Sequence, residues 1–197
     1  SPVTADHHGA QLSFQAHYAA EMARQEMLEL YGMAAYTEGF HVYTTISSDI
    51  QKVAQRTVVE GLITYDKRHG YRGPERKLPR VNTEPESYAF DVWRDALQQM
   101  TVIAGLQPAV VTAIHDDSVS ILLQDGSTNA IAWDSGLSEA APYQSENTKG
   151  PLPESPADVL SVGDMIRTAA DADGNWQLFQ VPAAQAALVA LSPDDGA

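Results

Sequence analysis

LQPAVVTAIHDDSVSILLQDGSTNAIAWD, residues 106–134, contains three short runs rich in Val, Ile and Ala that are separated by the polar breaks HDD and DG. An Asp-Gly pair between apolar runs is a strong hairpin signal, because Gly tolerates the positive φ that tight hairpin turns require. A second such pair, Asp173 and Gly174, lies between two further apolar runs. Residues 106–182 are therefore predicted to form at least five short strands, which suits a small closed or nearly closed barrel.

The region before the barrel has mostly helical periodicity. Small apolar side chains recur every three or four residues over 15–31, and the same spacing returns in two later segments. Residues 39–46 instead alternate between apolar and polar side chains, which predicts one strand. We therefore expect a helical linker with one strand over residues 15–105, preceded by a flexible polar segment at 1–14. The fold class is predicted to be α+β.

A long polar stretch at residues 135–162 interrupts the barrel. It holds five Ser and four Pro, and Tyr143 and Leu152 are its main apolar side chains. Unstructured loops of this length in a compact domain are usually functional or disordered. We take Tyr143 and Leu152, together with Trp133 at the end of the third apolar run, as the candidate partner-binding residues.

Charge and composition exclude several classes of function. Twelve basic residues stand against 26 acidic ones, and the resulting net charge of −14 disfavours nucleic acid and anionic lipid surfaces as ligands. The absence of cysteine excludes disulfides and thiolate metal sites. No run of about 18 apolar residues is present that would predict a membrane-spanning helix.

Two motifs resemble fragments of known active or metal sites, and both fail on inspection. Ser145, Glu146 and Asn147 resemble part of the penicillin-recognising serine motifs, but the chain has no Ser-x-x-Lys nucleophile. The stretch DADGN begins like a calcium loop, yet Trp176 occupies the position that requires Gly and Pro182 the position that requires Glu. We therefore predict no catalytic residue, no metal ligand and no cofactor, and we expect that this chain is not itself an enzyme.

Four sequence words, in this order, carry a resemblance to a known family. AHYAAEMARQEM (16–27), AYTEGFHVYTTI (35–46), YDKRHGYRGP (65–74) and QAALVALSPDDGA (185–197) resemble class A penicillin-binding proteins, the bifunctional peptidoglycan glycosyltransferases and transpeptidases. The stretch between the last two words resembles, mainly in its strand pattern, the OB-like insert of Gram-negative members. In those members the insert docks a lipoprotein activator from the outer membrane.

The resemblance implies a position and a compartment for this chain. It would lie between the two catalytic domains of a periplasmic synthase that is anchored in the inner membrane, and both sets of catalytic residues would fall outside it. Residues 183–197 would be the first strand of a truncated transpeptidase domain, paired near the strand at 39–46. An apolar run that ends in an Asp-Gly turn without a returning strand agrees with a chain cut from a longer protein.

Three functions remain open at this level. The leading hypothesis is a non-catalytic interaction and linker region whose OB-like barrel docks a regulatory outer-membrane lipoprotein, next to the rest of the parent synthase. The second is a barrel that binds glycan strands of peptidoglycan through Trp133, Tyr143 or Trp176, because such barrels also host oligosaccharides. The third is a purely structural spacer.

Overall fold

The computed structural model describes residues 16–79 and 87–194, with only the backbone described at 87–89. Within these residues the chain contacts define two units. Unit one comprises residues 16–58 and 186–194, and unit two comprises residues 59–79 and 87–185. The N-terminal segment 1–14, which the sequence predicts to be flexible, lies outside the described residues.

Unit one consists of helical and irregular segments. It holds α1 (His17–Tyr31), α2 (Ala34–Thr37) and the first half of α3 (Ser48–His69). Helix α1 ends at Gly32, which has a positive φ of 56° and donates its N–H to the carbonyl oxygen of Leu28 at 2.8 Å.

The strand predicted at residues 39–46 is not formed. The segment has no ladder within the described part of the chain, and residues 187–191, its expected partner, are irregular as well. Alternation alone cannot make a strand, because the N–H and C=O groups of a strand need a neighbouring strand to pair with. Tyr43 accordingly stays 94 % exposed.

Unit two contains the barrel. After the end of α3, its described elements in chain order are β1 (Arg76–Lys77), α4 (Ser87–Gln98), β2 (Gln107–Ile114), β3 (Ser118–Leu123), β4 (Thr128–Ala132), β5 (Tyr143–Ser145), β6 (Thr148–Lys149), α5 (Pro156–Val159), β7 (Asp164–Ala170) and β8 (Trp176–Phe179).

Five of these strands close into a barrel in the order β7-β2-β3-β4-β8, and β7 pairs again with β8. All pairings are antiparallel except the one between β4 and β8, which consists of a single parallel bridge from Ile131 to Trp176. Strand β1 pairs antiparallel with the first two residues of β7, Asp164 and Met165. The predicted α+β fold with a five-stranded barrel is therefore confirmed.

Two apolar clusters hold the barrel together. Strand residues alternate between faces, so Val111 points into the barrel while Val110 lies under α4. Trp93 and Leu97 of α4, which are 5 % and 0 % exposed, cover this second face. The barrel interior itself is filled mainly by side chains from β2, β3, β4, β7 and β8.

Residues 135–162 are more ordered than the sequence predicts. A tight turn at Trp133–Leu137, the β5–β6 hairpin and α5 all fall in or next to this stretch. Leu137 and Leu160 reach the barrel core, and Ser155 forms a capping box with Asp158 at the start of α5. Burial of these leucines anchors both ends of the stretch, which carries a hairpin and a short helix where the sequence predicts a long loop.

Candidate functional site

The chain enters and leaves the barrel side by side, and one carboxylate joins the two passages. Asp66, only 4 % exposed, accepts hydrogen bonds from Arg72 Nη1 at 2.7 Å and Nη2 at 3.1 Å. Its Oδ1 also accepts the main-chain N–H of Ala183 at 3.2 Å, and Arg72 Nη2 donates to the carbonyl oxygen of Val181 at 2.7 Å. We call these four residues the clamp. A two-pronged contact between guanidinium and carboxylate is geometrically specific.

Gln180 strengthens the same junction. Its Oε1 accepts the main-chain N–H of Arg72 at 2.8 Å, and its Nε2 donates to the carbonyl oxygen of Gly70 at 2.8 Å. Gly70 has a φ of +99°, and a Cβ at this position would lie 2.8 Å from the carbonyl oxygen of Ala141. Only glycine fits where the end of α3 approaches the barrel so closely.

A cavity of 250 Å³ lies next to the clamp, and we call it the junction cavity. Its apolar lining includes Ile63, Leu178 and Phe179, and Leu152 lies at its wall with 65 % of its surface exposed. Lys67 contributes its Nζ 4.6 Å from the centre of the Phe179 ring, within the range of a cation–π contact.

Charge at the junction cavity differs from that of the chain as a whole. Asp66 is matched by Arg72, which leaves Lys67, Lys149 and Glu139 as the charged lining residues without an ion pair among the described residues. Two lysines stand against one unmatched carboxylate, so the described lining has an excess of positive charge although the chain as a whole carries −14.

The three predicted site residues are only partly brought together. Leu152 lines the junction cavity. Tyr143, 40 % exposed, pairs with Lys149 in the β5–β6 hairpin and so lies on the same element as one lysine of the cavity. Trp133 is half-buried and packs against the barrel core without lining the cavity.

Tyr71 also lines the junction cavity, and it is a partly buried residue whose hydroxyl is inaccessible to water. Its hydroxyl has no hydrogen-bond partner among the described residues, and its ring packs against the barrel core. Burial, with the negative charges of Asp164 and Glu75 nearby, raises the pKa of Tyr71 above its ordinary range. The phenol is therefore neutral at physiological pH and contributes no charge to the cavity wall.

A second, polar concavity of 500 Å³ lies beside the single bridge between β4 and β8. Trp176, Asn129, Asn175, Asp134 and Asp171 line it, and no basic residue belongs to the lining that the structure describes. The main-chain N–H of Asn175 donates to Asp171 at 2.8 Å and lowers the pKa of that carboxyl. We call this the seam concavity.

Metal and membrane features are not found in the part of the chain that the structure describes. No three or more His, Asp or Glu side chains there gather closely enough to hold a metal ion. No helix in the described ranges combines the length and the apolar character that a membrane crossing requires.

Comparison with known proteins identifies the barrel. A sequence-family model described as the penicillin-binding protein OB-like domain matches residues 71–184. The chain belongs to this family. The OB-like domain begins five residues after Asp66 and ends one residue after Ala183, so the clamp lies across its boundary.

Whole-chain relatives agree with this assignment. The chain is 45 % identical over 196 residues to penicillin-binding protein 1A of Pseudomonas aeruginosa and 38 % identical over 197 residues to that of Escherichia coli, covering 100 % and 99 % of this chain. A 2.6 Å crystal structure of penicillin-binding protein 1A from Haemophilus influenzae matches with a TM-score of 0.66 and 31 % identity over 88 % of this chain. The family resemblance carried by the four sequence words is thereby confirmed.

The chain spans only about a quarter of these relatives, namely 23 % and 22 % of the two proteins and 23 % of the crystallised chain. Sequence reasoning found the OB-like domain and Leu152, but it did not single out the clamp, Lys67 or Phe179. The basic run near position 67, unusual in so acidic a chain, was the signal available for Lys67.

Proposed function

We propose that the chain is a non-catalytic interaction and linker region of a peptidoglycan synthase, and that its OB-like domain docks a regulatory lipoprotein of the outer membrane. The observation that carries the proposal is the match of residues 71–184 to the OB-like domain, inside a chain whose relatives are penicillin-binding protein 1A proteins. The parent synthase is anchored in the inner membrane, and this region lies in the periplasm.

The architecture of unit two supports a docking role. The barrel is closed, its interior is filled with side chains, and the clamp holds its two chain passages together. Such a domain can be inserted in a longer protein and still keep its own hydrophobic core intact. Its exposed apolar side chains Tyr143 and Leu152 lie on the stretch that leaves the barrel, where a partner can reach them.

Unit one supports the linker part of the proposal. Large apolar side chains such as Tyr18, Met33 and Val189 are 91 %, 73 % and 80 % exposed. Exposed apolar surface of this kind is typical of surfaces that are covered by another part of a protein or by a partner. We propose that the rest of the parent synthase covers it, with residues 183–197 beginning the transpeptidase domain.

The decisive experiment uses the full-length parent synthase and its candidate activator lipoprotein. Residues 71–184 are replaced by a short Gly-Ser linker, and glycan polymerisation and peptide cross-linking are measured with and without the lipoprotein. We expect basal polymerisation to continue and stimulation to be lost. Unchanged stimulation in the deletion variant would refute docking through the OB-like domain.

A binding titration of the 197-residue chain complements this assay. The purified chain is titrated with the lipoprotein at two salt concentrations, because a chain of net charge −14 engages partners through charges that salt screens. We expect saturable binding that changes with salt. Absence of binding at both concentrations would count against the proposal.

The seam concavity favours glycan binding as a second candidate function. An aromatic ring beside amide and carboxylate groups, with no basic residue in the described lining, suits a neutral ligand rich in hydroxyl groups. Tryptophan fluorescence of the wild-type chain and of Trp176→Ala, titrated with chitotetraose, tests this idea. It fails if the oligosaccharide leaves the wild-type spectrum unchanged. If neither ligand binds, the structural-spacer hypothesis remains.

A further inference from the structure

We propose that the junction cavity is the docking point at which a protein partner inserts one apolar side chain flanked by carboxylates. The inference rests on the docking function proposed above and assigns it to one site on the surface. Three observations support it: the size and lining of the cavity, the charges at its wall, and its position between the two chain passages.

Size and lining favour a single side chain as the occupant. Small-molecule sites usually measure about 300–1,000 Å³, and the junction cavity, at 250 Å³, is smaller. Its apolar lining includes Ile63, Leu178 and Phe179, which are contributed by α3 and β8. Leu152, 65 % exposed, would lose its contact with water when a leucine or phenylalanine side chain enters. An apolar anchor that fills a preformed pocket is the usual centre of a protein interface.

Charge at the cavity favours carboxylates beside that anchor. Lys67 and Lys149 reach the cavity from α3 and β6, and neither forms an ion pair within the described residues. Glu139 is the one lining carboxylate that no basic side chain matches there, since Asp66 is held by Arg72. Acidic groups would be repelled by most of a chain of charge −14 and attracted to this spot, which restricts where such a partner docks.

The lysine at the rim is already positioned for binding. Lys67 lies over the Phe179 ring at 4.6 Å, so part of its conformational freedom is already lost before a partner arrives. The cavity also contacts both passages of the chain, through Gly70 on one side and Gln180 on the other. A bound side chain would therefore touch the segments by which the OB-like domain joins the rest of the chain.

The first test is an NMR titration of the ¹⁵N-labelled 197-residue chain with three synthetic peptides. Acetyl-Asp-Leu-Asp-amide carries the proposed chemistry, acetyl-Lys-Leu-Lys-amide reverses its charge, and acetyl-Asp-Ala-Asp-amide lacks the apolar anchor. We expect the first peptide to shift the amides of Gly70, Lys149, Leu178 and Gln180, with an affinity about tenfold above that of either control. Equal affinity for the three peptides, shifts elsewhere on the chain, or no shifts would overturn the assignment.

Matched variants separate the cavity from general surface effects. Leu152→Asp removes the apolar wall, and Leu191→Asp is its control, because the two leucines are 65 % and 66 % exposed. Lys149→Glu removes a rim charge, and Lys52→Glu on the exposed side of α3 is its control. We expect each cavity variant to weaken binding of acetyl-Asp-Leu-Asp-amide about tenfold while the controls stay within about twofold. Equal losses in variants and controls would contradict the proposal.

The lipoprotein titration distinguishes failure of this inference from failure of the docking function. If the wild-type chain does not bind the lipoprotein, the docking function is wrong. If the wild type and Leu152→Asp bind it equally well, docking stands and the assignment to the junction cavity is wrong. A titration with chitotetraose tests the glycan alternative at this site. Oligosaccharide-induced shifts at the same amides would make the cavity a glycan site and overturn the proposal.

Discussion

Replacing Glu75 with glutamine tests the buried ion pair that fastens the edge of the barrel. Arg167 on β7 is only 3 % exposed, and its Nε and Nη2 donate to the two carboxylate oxygens of Glu75 at 2.9 and 3.1 Å. Its Nη1 donates to the carbonyl oxygen of Thr101 at 2.6 Å. The Glu75→Gln variant keeps the size of the side chain but leaves the buried guanidinium without a matching charge.

The expected loss of stability follows from how deeply the side chains of Glu75 and Arg167 are buried. Removing one partner of a buried ion pair typically costs about 3–5 kcal/mol, because the other charge stays buried and unmatched. The side chain of Glu75 is 31 % exposed, so water screens part of the interaction. We therefore expect the low end, about 3 kcal/mol, which moves a urea midpoint by about 1.5 M for a slope of about 2 kcal/mol per molar.

Urea unfolding followed by tryptophan fluorescence reports on unit two, which contains Glu75, because Trp93, Trp133 and Trp176 all belong to this unit. Glu154→Gln neutralises an exposed carboxylate of the same unit and should stay within about 0.5 kcal/mol of wild type. The double variant in which Glu75 and Arg167 become Leu and Met should recover most of the loss. A cost of less than about 1 kcal/mol for Glu75→Gln would refute the reasoning.

Three further predictions test other parts of unit two. Gly70→Ala should cost about 2 kcal/mol in urea unfolding, because its φ is +99° and the new Cβ would meet main-chain atoms, whereas Gly61→Ala, with open space in α3, should gain about 1 kcal/mol. The Ser155 hydroxyl and two main-chain N–H groups lower the pKa of Asp158 below its ordinary value of 3.8. The ionised carboxylate therefore stabilises the fold above pH 3.8, and this stabilisation is lost as the pH falls through the lowered pKa. Ser155→Ala should raise the titration midpoint of the Asp158 carboxyl, which ¹³C NMR measures. Leu97→Ala, at a fully buried site, should cost about 3 kcal/mol in thermal or urea unfolding, and a loss below about 1 kcal/mol would mean that α4 is not packed as described.

Local signals explain why the barrel could be predicted from the sequence. The hairpin between β3 and β4 turns at Asp125 and Gly126, where Gly126 has a φ of 83° and Asp125 accepts the N–H of Ser127 at 2.9 Å. The turn between β7 and β8 likewise uses a positive φ at Gly174. These turns are encoded by two or three adjacent residues, so reading them requires no knowledge of the rest of the fold.

Errors arose where the structure depends on residues far apart in the chain. The strand predicted at 39–46 needs a partner strand that the described chain does not supply. The polar composition of residues 135–162 predicts a long loop, yet burial of Leu137 and Leu160 against the barrel orders the stretch. Such burial depends on the closed barrel and cannot be read from the stretch alone.

In the candidate site too, local sequence signals could be predicted and long-range contacts could not. Leu152 stood out as an apolar residue in a polar stretch, and it does line the junction cavity. Asp66 and Ala183 meet across 117 positions of sequence, so no local pattern could place them together. Phe179 reads as an ordinary strand residue until the fold brings Lys67 over its ring.

The clamp and the barrel core are held by different kinds of contact. The core is held by apolar side chains that are almost fully buried, and rearranging them would expose them to water. The clamp is held by polar contacts around Asp66, and separating that carboxylate from Arg72 would leave it buried without a matching charge, a cost of the same order as that expected for Glu75→Gln. A side chain bound in the junction cavity would therefore meet segments that are costly to rearrange, which favours a preformed binding site over one that forms only when the partner arrives.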